Sequence, residues 1–201
     1  MCHTGRLLLI ALVTAFAFTP GGLEAEDGIV ADQESHQTAV AMVRAPNGGL
    51  LPVSSNGVLL PPNRFTAQDT RQYLQIDIGG LEPIGSVGDK YGYRAVTDGA
   101  KIAVALSDKW RDAKLKAIAV AGPGAETPHE YVLEPKQHGI KVLWGHAPGS
   151  EEKGEAKASA KVKRLTRFVS ENTPEYTFLP GPSTVLDLRP AERALLTVGP
   201  N

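Results

Sequence analysis

Gly139-Ile140-Lys141-Val142-Leu143-Trp144-Gly145, a helix-patterned stretch from about Ala156 to Val169, and Thr184-Val185-Leu186-Asp187-Leu188-Arg189-Pro190 form the succession that decides the fold. The first and last are short apolar runs bounded by glycine or proline, as strands are. Between them Ala158, Val162, Leu165 and Val169 recur at spacings of four, three and four, one stripe of an amphipathic helix. Lys157, Lys161, Lys163, Arg164 and Arg167 are read mostly onto the other face. No residue here is set up for chemistry, which points to a binding module built on a sheet.

Upstream, Leu115 to Ala121 alternates as a strand and stops at Gly122-Pro123-Gly124. Glu130-Tyr131-Val132-Leu133 is another strand, and Gly139 to Trp144 pairs with it as a hairpin. Before these, a long helix is expected from about Tyr91 to Trp110, with Val96, Ala100, Ala103, Leu106 and Trp110 as its apolar stripe. Gly99 in its interior costs about 1 kcal/mol relative to Ala, which fits a close packing contact there. Gln75 to Asp89 reads as an irregular connector, and Thr66 with Asp69 as the capping box of a short helix reaching Tyr73. Val40 to Arg44 is a strand ended by Pro46-Asn47-Gly48-Gly49. Leu50 to Val53 and Gly57 to Leu60 flank Ser54-Ser55-Asn56-Gly57, where Asn-Gly offers the positive φ angles of a hairpin turn. Thr184 to Arg189 and Ala194 to Val198 are the closing strands. The sum is an α+β fold, a mostly antiparallel sheet with two or three helices packed on one face.

With 201 residues the chain holds one sizeable domain, or one with a small appendage. Its 21 glycines and 15 prolines are scattered, favouring short elements and tight turns over a helical bundle. A net charge of -1 argues against a nucleic-acid surface. Glu151, Glu152, Lys153 and Glu155 read as a solvated loop and first helical turn. Residues 1–25 resemble an export signal: Arg6, an apolar run from Leu7 to Phe18, a break at Thr19-Pro20-Gly21-Gly22, and Ala25 as a cleavage residue. Read instead as uncleaved, residues 7–23 are a short inner-membrane anchor, the chain's only expected membrane contact. Either way the rest is expected outside the cytoplasm, with 26–38 a linker and 39–201 the folded domain. Cys2 is the sole cysteine, so the exported part has no disulfide, thiolate nucleophile or cysteine metal site. Without staples, such a domain relies on a core.

Tests for chemistry return little. Gly149 to Lys157 lacks the Gly-Lys-Ser/Thr of a phosphate loop, and neither His-Glu-x-x-His nor Gly-x-Ser-x-Gly occurs. His129, His138 and His146 each sit beside a turn and are read as exposed loop residues rather than zinc ligands. Asp187 and Arg189 share one strand face, suited to a surface pair or to fixing a strand end. Trp144 is read as core or sheet edge, with an interface anchor as the other option. No catalytic residue, metal site or cofactor is expected.

Two blocks together resemble the extracytoplasmic part of the bacterial cell-division family FtsQ, called DivIB in other lineages. Val40-Ala41-Met42-Val43 with Leu51-Pro52-Val53-Ser54-Ser55-Asn56-Gly57-Val58-Leu59-Leu60-Pro61-Pro62 is similar to the family's "PVA" strand and following hairpin. Gly139 to Gly145, Ala160-Lys161-Val162-Lys163-Arg164-Leu165 and Val185-Leu186-Asp187-Leu188-Arg189-Pro190 resemble its "G–x–V–x–L–G", "K–L–x–R–L" and "I–D–L–R" run. Thr38 stands where the family usually has Pro. Only Glu26 to Gln37 occupies the place of the family's POTRA domain, so that domain is expected to be lost or the chain's start truncated.

The resemblance implies a non-enzymatic scaffold of the divisome, exported to the periplasm and acting at septal wall synthesis. Its implied partners are other division proteins, the membrane-anchored coiled-coil subunits, one of which adds a strand to the edge formed by Ala194, Leu195, Leu196, Thr197 and Val198. The plainer reading is that this strand closes the sheet. An exported enzyme acting on the cell wall or a polysaccharide is the alternative, and would need two carboxylates in a cleft or a nucleophile with its base. A secreted small-ligand carrier would instead show a closed barrel.

Overall fold

The structure, a computed structural model, describes residues 38–121, 129–136, 139–172 and 184–198. The expected signal, the linker up to residue 37, His138 and the Gly122-Pro123-Gly124 stop lie outside the described residues. Eight strands form one sheet: β1 (Ala39–Arg44), β2 (Leu50–Ser54), β3 (Leu74–Asp77), β4 (Leu115–Ala121), β5 (Glu130–Pro135), β6 (Ile140–Gly145), β7 (Thr184–Asp187) and β8 (Leu195–Val198), in the order β2-β1-β3-β4-β5-β6-β7-β8. The helices are α1 (Ala67–Thr70), α2 (Arg94–Leu106), α3 (Lys109–Asp112) and α4 (Ala158–Asn172). The fold is α+β and the sheet mostly antiparallel, with parallel pairs at β1/β3, β3/β4 and β6/β7.

Helix placement follows from connectivity. The crossovers β3–α2–β4 and β6–α4–β7 both step the same way between parallel strands, and a common right hand puts both on one face. There α2 packs on β1, β3, β4 and α4, while α3 bridges β4 and α4. The sheet meets them with a row in unbroken register: Leu51, Val43, Ile76, Ile118, Leu133, Val142, Leu186 and Leu196. The six from Val43 to Leu186 are buried, each fully buried side chain being worth about 1.5–3 kcal/mol. The last, Leu196, is exposed.

The structure corrects several expectations. Gln75 to Asp77, read as the start of a connector, belong with Leu74 to the interior strand β3 (Leu74–Asp77). Its alternation (Leu74 and Ile76 buried, Gln75 and Asp77 half-buried) is that of a strand buried more deeply on one face than on the other. Gly99 lies against it: a Cβ there would approach Ile76 Cγ2 to 2.9 Å. The expected single helix from Tyr91 to Trp110 is broken at Ser107, whose φ of 47° closes α2 before α3 begins. Its stripe residues are buried as expected. The α1 capping box forms, with Asp69 N–H donating to Thr66 Oγ1 at 3.2 Å and Thr66 N–H to Asp69 Oδ2 at 2.9 Å, but the helix ends at Thr70, short of Tyr73. At the hairpin only Gly57 has positive φ, at 73°. Gly57 N–H donates to Ser54 O, and Ser54 N–H to Val58 O, a three-residue loop closed by a glycine bulge.

Candidate interaction edge and charged cleft

β8 terminates the sheet. It pairs with β7 through four residues, and among the described residues no strand lies beyond it. All four of its residues are exposed; Leu195 is 42%, Leu196 54% and Val198 63% accessible. By register Leu196 and Val198 face the helix side, and Leu195 and Thr197 the open side. Ala194, grouped with them from sequence, precedes the strand and packs half-buried on the core. Between α4 and β8 runs a groove of about 330 Å³ floored by Phe168, Leu186, Ala194 and Leu196.

The other sheet end is covered. β2 carries Pro52, and the chain folds back along it, with Leu60 N–H donating to Pro52 O at 2.9 Å and a bridge joining Val53 to Leu59. Leu59 and Leu60 are buried.

A second feature lies behind β7. Of the residues expected as a solvated acidic loop, Glu152 and Lys153 are open, but the side chains of Glu151 and Glu155 are enclosed, at 3% and 7% exposed. Glu151 Oε1 accepts Ala158 N–H at 3.1 Å at the start of α4. Glu155 accepts Lys161 Nζ at 2.6 Å, His146 N–H at 2.8 Å and Glu152 N–H at 3.0 Å, and its Oε2 lies 2.8 Å from His146 Nδ1. Lys161, placed on the solvent face from sequence, is fully buried, with its ammonium 5.1 Å from the centre of the Trp144 ring. The 161–165–168 line of Lys161, Leu165 and Phe168 is itself a helical face, the signal that could have placed Lys161 inward. Trp144 is also fully buried and donates Nε1–H to His146 O at 3.1 Å, so it is core and not a surface anchor.

Glu130, His146, Glu152, Glu155, Asp187 and Arg189 line a shallow cleft of about 300 Å³. The Arg189 guanidinium spans Asp187 at 2.9 Å and Glu130 at 3.0 and 3.1 Å, tying the end of β7 to the start of β5. Burial alone would raise the Glu155 carboxyl, but Lys161 and the backbone donors outweigh it and hold it below its ordinary value. Asp187 is likewise lowered, burial being outweighed by the side chain and backbone N–H of Arg189. A carboxylate acting as general acid needs the opposite shift. His129 and His146, expected as exposed, are both buried. His129 sets its ring edge-on to Tyr131, and its Nε2 has no hydrogen-bond partner among the described residues. Among those residues no three His, Cys, Asp or Glu side chains are placed to hold a metal ion, and no helix is long and apolar enough to cross a membrane.

No protein-family model matches the chain, and no curated protein matches it significantly.

Proposed function

We propose that this protein is an exported, non-enzymatic scaffold of the FtsQ/DivIB kind, which binds other division proteins at septal wall synthesis by accepting a partner strand on β8. One observation carries the reading: the sheet leaves an apolar, uncharged and exposed strand at one end while covering the other. Such an edge offers a row of backbone donors and acceptors, and alternate side chains on its two faces supply specificity. Leu196 continues the buried row, so a partner residue in register with it would lie beside the α4–β8 groove. The family's order of motifs adds support, because the segments quoted for it become β1–β2, β6, α4 and β7 in succession.

The competing reading, an exported enzyme acting on wall or polysaccharide, would use the cleft beside Arg189. Its enclosed carboxylates are held ionised by Lys161 and Arg189, which disfavours acid–base work there.

The test is capture of the membrane-anchored coiled-coil division subunits by the domain and by Leu196→Pro. Proline removes a ladder donor and bars continuous pairing, so capture is expected to disappear while the far-UV spectrum stays unchanged. Equal capture by the variant would refute strand addition at β8.

A further inference from the structure

The corner leading into β8 is gripped by α4. Arg164 donates Nη1–H to Leu188 O at 3.3 Å and to Pro190 O, and Nη2–H to Ala191 O at 2.6 Å. Arg189 O accepts Ala156 N–H at 2.7 Å, so the carbonyls of residues 188, 189, 190 and 191 are all engaged. Ala191 N–H in turn donates to Gly154 O at 2.9 Å, and Glu155 bridges to Pro190. The segment 154–156 that supplies these contacts is itself anchored by Glu155 on Lys161. Lys161 and Arg164 are three apart on α4 and face the same side. One helix therefore holds the corner twice, directly through Arg164 and indirectly through Lys161 and Glu155.

β8 has little else to hold it. Its four residues are exposed and pair only with β7 among the described strands, which makes it a low-stability unit relative to the sheet centre. We propose that Arg164 and Lys161 form a clasp that sets whether β8 stands ordered as a docking edge. They act as positioning residues that a partner strand on the outer edge of β8 would not itself pair with. The regulatory meaning rests on the docking role argued above; the clasp itself does not.

The experiment is amide hydrogen exchange on the free domain, wild type against Arg164→Gln, with capture of the division subunits measured in parallel. The β8 amides bonded to β7 are expected to exchange at least about tenfold faster in the variant, with β3, β4 and β5 unchanged and capture weakened by a similar factor. Should Arg164→Gln unfold the domain, Arg164→Lys keeps the charge but loses the planar fork. Acceleration confined to residues 188–198 in that variant supports the clasp, and uniform acceleration or none overturns it. If β8 loosens but the wild type captures no subunit, the clasp stands and the docking reading fails. If the wild type captures through β8 and neither variant alters exchange or capture, the clasp fails and docking stands.

Discussion

The two ends of this sheet solve the same physical problem in opposite ways. β2 has Pro52 O and Ser54 N–H met by the returning segment 58–60, carries Pro52, and sits beside buried Leu59 and Leu60. β8 has no proline or charge within it, and its Leu195, Leu196 and Val198 face solvent. Sheet proteins blunt free edges because an open row of N–H and C=O groups templates unwanted pairing. The proposed docking role of β8 rests on this difference between an exposed edge and the partly covered one at the opposite end of the sheet. The corner behind β8 is tied down by Arg164, Glu155 and Arg189.

The largest expected effect comes from removing the support of the bare edge. Glu155→Ala strands the buried ammonium of Lys161, and losing one partner of an enclosed pair costs about 3–5 kcal/mol; urea unfolding measures it. The same carboxylate gives the pH dependence. Because the folded values of Glu155 and Asp187 lie below their ordinary values of 4.5 and 3.8, their stabilisation is complete above those values. It is lost as pH falls through the lowered folded values. Melting temperature should fall on that acid limb, and less steeply in Glu155→Gln.

Next in size is a break in the covered edge. Gly57→Ala puts a side chain at φ 73° and against Thr97, whose Oγ1 would lie 2.7 Å and Cα 3.0 Å from the new Cβ. A cost of about 1–3 kcal/mol is expected. Increased self-association of that variant, by analytical ultracentrifugation, would show that segment 58–60 protects β2. The smallest stability effect is expected at the bare edge: Leu196→Lys should change unfolding free energy by no more than about 0.5 kcal/mol. It should nonetheless abolish strand addition, because an edge lysine opposes pairing. A large loss of stability there would mean that β8 closes the core and is not a docking rim.

Much of this comparison was legible in the residues. The strand at 115–121, the 158–162–165–169 stripe and the capping box of Thr66 and Asp69 each have a local cause, and each forms. That the strand at 195–198 ends the sheet was implied by the family resemblance, since an uncharged run alone does not tell an edge strand from an interior one. What escaped depends on partners distant in sequence. β3 was obscured by Gln75, Asp77 and the Gly79-Gly80 that follows, and becomes a strand because β1 and β4 pair with it on both sides. Lys161 lies inside because Glu155 and Trp144 receive its charge, a compensation that helix periodicity alone does not reveal. Ser107 divides the long helix through a backbone angle that no stripe of apolar residues encodes.

The most direct test is amide exchange of the domain with and without the membrane-anchored coiled-coil division subunits. Gained protection at residues 195–198, with none at 50–54, is the result expected of a partner strand on β8. Binding that leaves 195–198 exchanging as before would contradict it.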